Sequence, residues 1–128
     1  MSSTIIINNE FDLHTRVVQF VRKRYPEVII IPGLGELQTT DDIRIKSWQK
    51  GYTAGQPDLI LLKPTLEHCG LAIEMKTPKS QEADTSHKQK LFLARLRKVG
   101  FKTVVSNSYE DILYEIISYT NHAKGITP

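Results

Sequence analysis

The chain has 128 residues, of which 40% are hydrophobic and 24% charged, and its formal net charge is +3. This length predicts one domain, residues 1–128, and no apolar segment is long enough to span a bilayer. The one cysteine, Cys69, excludes an internal disulfide and a zinc site built from paired cysteines. Because residues 1–8 lack the regions of a secretion signal, we expect an intracellular protein without a membrane partner.

The first predicted element is a helix that begins near residue 9. Asn9 is a suitable N-cap, with Asp12 three residues later as a weak capping-box partner. Six residues then follow the spacing of one helical face: Glu10, Leu13, His14, Val17, Val18 and Val21. Glu10 therefore begins a stripe that faces the core, and His14 is interpreted as a satisfied core residue.

Short apolar segments of strand length follow in the middle of the chain. The β-branched run at 28–31 predicts a strand, and the alternating residues 43–48 predict a second strand or an arm. Residues 58–62 and 71–75 predict an antiparallel hairpin with a loop at 63–69. Its register pairs Asp58 with Glu74, Ile60 with Ala72, and Leu62 with Gly70.

This hairpin places charged side chains close together. Because side chains alternate along a strand, Glu74 and Lys76 share one face, and Asp58 lies opposite Glu74. Mg²⁺ prefers oxygen ligands, so we expect Asp58, Glu74 and the backbone carbonyl of Met75 to bind it. Lys76 would orient or deprotonate the attacking water, or steady the scissile phosphate. The pattern predicts metal-dependent phosphodiester hydrolysis, with Glu10 as a ligand of a second metal or through a water.

Each of these residues also has a structural interpretation. A Glu-x-Lys triplet such as 74–76 is more often a charge pair than a catalytic site. Pro57-Asp58 after a glycine-rich loop is commonly a turn, and the helix dipole alone favours Glu10 at a helix start. Their joint occurrence is more specific than any one of them.

The second half of the chain predicts two helices and a strand. Residues 86–99 predict a helix that ends at Gly100, with an apolar stripe of Phe92, Leu93, Leu96 and Val99. Gln89 shares the face of that stripe, so its amide should point toward the sheet and hold the water or phosphate. A strand at 101–105 and a last helix that opens at 108–111 complete the chain. The order αβββαβα, with room for one more strand, predicts a mixed sheet flanked by helices, an α/β or α+β fold.

Charge is distributed unevenly. Residues 76–102 carry eight basic and two acidic side chains, hence +6, while the rest of the chain is −3. A basic sector of this kind is typical of a nucleic-acid ligand, although a solvated helix face is the alternative. Five side chains are candidates for contacts with phosphate: Lys46, Lys50, Lys79, His87 and Lys88. Trp48 would stack on an exposed base or, alternatively, pack in the core or at a dimer interface.

The ordered motifs resemble the VRR-NUC branch of the PD-(D/E)xK nuclease superfamily. They are Gly55-Gln56-Pro57-Asp58-Leu59, Gly70-Leu71-Ala72-Ile73-Glu74-Met75-Lys76, Gln89 with Leu93 and Leu96, and Gly100-Phe101. The resemblance covers about residues 8–120. It implies a restriction-endonuclease-like fold with an αβββαβ core and an activity that depends on Mg²⁺ or Mn²⁺. It also implies a site of Asp58, Glu74 and Lys76, with Gln89 in support and Glu10 as the acid of the first helix.

The resemblance further bears on the substrate. Stand-alone members look like phage or viral proteins and resemble dimeric Holliday-junction resolvases, which implies a homodimer that cleaves branched DNA. A less selective nuclease of flaps, nicks or linear DNA, and a non-catalytic DNA-binding module on the same scaffold, are the alternatives. Fold-level analogy does not decide among these substrates.

Overall fold

The computed structural model describes residues 5–34, 37–77 and 85–123, which form four helices and four strands. In chain order the elements are α1 (Glu10–Arg24), β1 (Ile29–Pro32), α2 (Asp41–Gln49), β2 (Leu59–Leu62), β3 (Gly70–Met75), α3 (His87–Lys98), β4 (Phe101–Ser106) and α4 (Tyr109–Ala123). The expected mixed sheet flanked by helices is therefore confirmed.

The four strands form one sheet in the order β1-β2-β3-β4. The first three are antiparallel neighbours, and β4 runs parallel to β3 after the crossover through α3. Ile60 pairs with Ala72, and Leu59 pairs with Ile73. The hairpin register derived from the sequence is thus confirmed.

The main core lies between the sheet and two helices. It is built from α1, α4 and alternate residues of the central strands: Leu13, Val17, Val21, Leu59, Leu61, Leu71, Ile73, Met75, Ile112 and Ile116. All six positions of β3 are buried, as in a strand that is covered on both faces. Leu71, Ile73 and Met75 belong to this core, so Glu74 projects from the opposite face.

Helix starts follow the expected capping signals. The Asn9 side chain accepts a hydrogen bond from the Asp12 N–H at 2.8 Å, which confirms the N-cap of α1. The Asp12 carboxylate accepts from the Asn8 N–H at 3.1 Å, one residue before the N-cap. This bond lowers the pKa of Asp12, and the Arg16 side chain lowers it further.

The prediction of a strand at residues 43–48 is wrong, because these residues lie in α2. The Thr40 side chain accepts a hydrogen bond from the Ile43 N–H at 3.1 Å and caps the helix. Asp42 and Lys46, one turn apart, form an ion pair at 3.0 Å on its surface. The alternation of apolar and polar residues at 43–48 favours a strand, but the Thr40 N-cap and the spacing of Asp42 and Lys46 favour a helix more strongly.

Two apolar side chains for which the sequence allows an interior position are instead exposed. Trp48 is 71% exposed on α2, so its interpretation as a core residue is wrong, while an interface role stays a prediction. Val99 is 65% exposed because it follows the last residue of α3 and leaves the apolar stripe. Within the described part of the chain, no helix combines the length and the apolar character that a bilayer crossing requires.

Candidate active site

Asp58 is held at the start of β2 by the neighbouring strand. Its carboxylate accepts a hydrogen bond from the Met75 backbone N–H at 2.7 Å. This contact fixes the carboxylate next to Glu74, one residue earlier on β3. The Met75 N–H is therefore the group that orients Asp58, and the proposed role of the Met75 carbonyl as a ligand stays a prediction.

The loop that precedes Asp58 packs against the first turn of α3. Gly55 has a φ of +93°, a conformation that side chains other than glycine rarely adopt. A Cβ atom on Gly55 would lie 2.5 Å from the Lys88 carbonyl oxygen, so the loop and α3 are in direct backbone contact. This contact sets the distance between the Asp58 loop and the helix that carries Gln89.

The end of β3 and the start of α3 are joined by hydrogen bonds among three side chains. Gln89 Nε2 donates to Glu74 Oε2 at 2.6 Å, and Lys76 Nζ donates to Gln89 Oε1 at 2.8 Å. Lys76 Nζ also lies 3.7 Å from Glu74 Oε2. Glu74 and Lys76 are only 2% and 7% exposed, so this is a buried, paired arrangement and not a solvated charge pair.

Gln89 owes its position to the local sequence. Ser86 Oγ accepts from the Gln89 N–H at 3.2 Å, and Gln89 Oε1 accepts from the Ser86 N–H at 2.9 Å. These two bonds form a capping box, which the pattern Ser-x-x-Gln favours at a helix start. The expectation that the Gln89 amide points toward the sheet agrees with these contacts.

The two carboxyl groups perturb each other. Burial, as the main cause, and the negative charge of Asp58 together raise the pKa of Glu74 to about 8, against the opposing effect of Lys76. Burial also raises the pKa of Asp58, although the Met75 N–H opposes that shift. Without a cation, the pair thus retains a proton near neutral pH, which a divalent ion would replace.

Glu10 faces the same site from α1. A cavity of about 400 Å³ is lined by Glu10, Tyr52, Asp58, Glu74, Lys88 and Gln89, among others. The charge of Glu10 also contributes to the raised pKa of Glu74. The structure thus brings Glu10 toward the two carboxylates that the sequence predicts as ligands.

These carboxylates suit a hard divalent cation. In the described ranges, no three or more His, Cys, Asp or Glu side chains are grouped so that they could hold a metal ion. Mg²⁺, however, keeps several waters and commonly takes only one or two protein carboxylates. Two mutually repelling carboxylates at the floor of an open cavity therefore fit that ion.

The residues predicted to contact nucleic acid lie in different places. Lys88 lines the cavity of the site, and His87 is exposed beside it at the start of α3. Lys46 and Lys50 line a separate cavity beside α2. Lys79 lies outside the described residues.

Two further residues near the site are not assigned to it by the sequence. Tyr52 lines the cavity of the carboxylates, and burial raises the pKa of its phenol, with the charges of Asp58 and Glu74 as further causes. His14, interpreted from the sequence as a core residue, is half-buried, and its electrostatic interaction with Asp58 lowers the pKa of that carboxyl group. An aromatic residue between two glycines is the one sequence signal for Tyr52.

Comparisons with known proteins identify the family and the fold of the chain. A family model described as the VRR-NUC domain matches residues 14–110. A solved structure described as a VRR_NUC domain protein has a TM-score of 0.72 and is 21% identical in sequence, over 92% of this chain and 93% of that chain. No curated protein sequence matches the chain.

Proposed function

The chain belongs to the VRR-NUC family of nuclease-type domains, and we propose that it is a metal-dependent endonuclease of structured DNA. The observation that carries this proposal is the contact network at the cavity floor. Asp58 is fixed by β3, and Gln89 joins Glu74 to Lys76. A metal-dependent nuclease uses such a cluster: carboxylates bind the metal ion, and a positively charged side chain contacts the phosphate.

Asp58 and Glu74 would hold Mg²⁺ or Mn²⁺, with the Met75 carbonyl as a further oxygen ligand. Glu10 would act through a bound water or on a second ion. A divalent ion bound there supplies a water of lowered pKa and neutralises charge on the phosphoryl oxygens. The raised pKa of Glu74 means that the pair gives up a proton when it binds the ion. Affinity for the ion should therefore increase as the pH rises toward 8.

Lys76 and Gln89 would act on the phosphate or the attacking water. The Lys76 ammonium group donates a hydrogen bond to Gln89 and forms an ion pair with Glu74, so it lies beside the Glu74 carboxylate and not in solvent. From there it can donate to a non-bridging phosphate oxygen. Gln89 holds Glu74 and Lys76 in fixed relative positions, which is its main expected contribution.

Branched DNA and a homodimer complete the proposal. β1 is an edge strand of the sheet, and Ile29 and Ile31 on it are 60% and 42% exposed. An exposed apolar edge is suited to pairing with a second copy, which would present two sites to two strands. The basic segment 76–102 supports a polyanionic substrate.

The deciding test is cleavage of end-labelled four-way junction, splayed-arm and linear duplex DNA in Mg²⁺ or Mn²⁺. Lys76→Met should abolish cleavage while it keeps the fold, because it removes the only ammonium group seen within this network of described residues. Lys90→Met, at an exposed position of α3, is the matched control and should cleave normally.

The pattern of products separates the alternatives. Paired symmetrical cuts near the junction centre would support the dimeric enzyme of branched DNA. Equal cleavage of every substrate would favour the less selective nuclease. Binding without cleavage in either metal would refute the enzyme and leave the non-catalytic DNA-binding module.

A further inference from the structure

The cavity of the site has a neighbouring cavity on each of two sides. On one side, Tyr52 also lines a cavity of about 390 Å³ beside α2, together with Lys46 and Lys50. On the other side, Ala54 and Lys88 also line a cavity of about 260 Å³ along α3. Because neighbouring cavities share these residues, the three are adjacent, with the carboxylates in the central one, and together they are termed the groove.

The charge and composition of this groove suit a nucleic-acid strand. Each outer cavity combines cationic side chains with an apolar wall, which is Leu34 and Ile43 beside α2, and Leu91 and Phe92 beside α3. Arg95 lines the α3 cavity, and its guanidinium carbon lies 5.5 Å from the centre of the Phe92 ring. Cations for phosphates and apolar or aromatic walls for bases are the two components of single-strand binding sites.

Tyr52 stands between the centre and the α2 cavity. The Tyr52 N–H donates to the Ser47 carbonyl at 2.9 Å, and Gly51, with a φ of +110°, turns the chain just before it. The backbone that carries the ring is thus anchored to the end of α2. An aromatic ring carried at this point can stack on the base next to the scissile phosphate.

The depth of the site favours an unpaired strand. Glu74 is only 2% exposed, so the scissile phosphate must enter the cavity to approach it. In a duplex the bases on either side stay paired and stacked and cannot reach the apolar walls. Unpaired nucleotides can be splayed apart and stacked on protein side chains.

We propose that an unpaired segment of the substrate strand lies along this groove, with Tyr52 stacking on one side of the scissile phosphate and Arg95 binding phosphate on the other. Lys46 and Lys50 continue the path beyond Tyr52. The surface ion pair of Lys46 with Asp42 is no obstacle, because such pairs contribute little and exchange readily for phosphate. This inference rests on the proposed function, since it places the strand over the same carboxylates.

The test measures binding without metal, so that cleavage plays no part. A fluorescent single-stranded oligothymidylate and a duplex of the same length are titrated in EDTA, and anisotropy is followed at several salt concentrations. Tyr52→Ala should weaken binding of the single strand at least about fivefold, whereas Tyr52→Phe, which keeps the ring, should stay within about twofold.

Arg95 gives an independent measurement on the other side of the site. Arg95→Ala should reduce the slope of log affinity against log salt by about 0.7, the value for one phosphate contact in a single strand. Lys90→Ala removes the same charge from an exposed position on the same helix and should leave the slope unchanged. Circular dichroism of each variant establishes that it is folded.

Three results would overturn the strand path. They are unchanged binding by Tyr52→Ala, equal slopes for the Arg95 and Lys90 variants, or the same loss of affinity for duplex as for single strand. Failure of the proposed function looks different. A protein that binds single strands through Tyr52 but cleaves no DNA in Mg²⁺ or Mn²⁺ would refute the nuclease and retain the path.

Discussion

Gly55→Ala is expected to disturb the joint between the Asp58 loop and α3. The φ of +93° at this position is unfavourable for alanine by about 1–3 kcal/mol. In addition, the new Cβ would lie 2.5 Å from the Lys88 carbonyl oxygen and 3.0 Å from the Gln89 nitrogen. Both are backbone atoms that cannot rotate away, so overpacking should add about 1–3 kcal/mol. The free energy of unfolding should therefore fall by about 2–6 kcal/mol.

Gly51→Ala is the matched control for this prediction. Its φ of +110° imposes similar strain, but a Cβ at this position would meet nothing within 4 Å, so the overlap is absent among the described residues. Urea unfolding followed by circular dichroism should show Gly55→Ala to be less stable than Gly51→Ala by about 1–3 kcal/mol. Cleavage should also decrease in the Gly55 variant alone. Equal destabilisation by the two variants would refute the contact between loop and helix.

Three further changes test other contacts. The pKa of Glu74 is raised from 4.5 to about 8, so the folded state binds more protons than the unfolded state between these values. Metal-free wild type should therefore lose stability relative to Glu74→Gln as the pH rises from 4.5 to 8, measured by urea midpoints. Tyr119→Phe, which removes the hydrogen bond to the Lys63 carbonyl, should lower the free energy of unfolding by about 1 kcal/mol in the same assay. Ser86→Ala should lower it by about 1 kcal/mol and also slow cleavage, because Gln89 loses an anchor.

Pairing between β2 and β3 could be predicted from the sequence for a physical reason. When a short loop joins two apolar segments, only a few pairing registers bury the apolar side chains of both. A shift of the register by one residue would place the Glu74 side chain in the main core. Residues 43–48 lack such a constraint. Ile43, Ile45 and Trp48 are all exposed in α2, so no burial selects their conformation, and a capping threonine decides it.

The charged residues of the site were predictable because they lie on or next to paired strands. The register alone places Asp58 beside Glu74, and alternation places Lys76 on the same face. Tyr52 lies in a loop whose path depends on two glycines with positive φ and on a contact with α3. Such a path follows from tertiary packing and not from local periodicity, which explains why the sequence did not assign Tyr52 to the site.

Gln89 shows how one residue can satisfy two levels of structure at once. As the third residue of α3 it completes a capping box, for which glutamate would serve equally well. The site is more selective, because the same side chain must donate to Glu74 and accept from Lys76. A carboxylate has no N–H to donate, and it would add a negative charge beside Glu74, whose pKa is already raised by its neighbours. The capping signal thus explains why a polar side chain stands here, and only the contacts across to β3 explain why it is an amide.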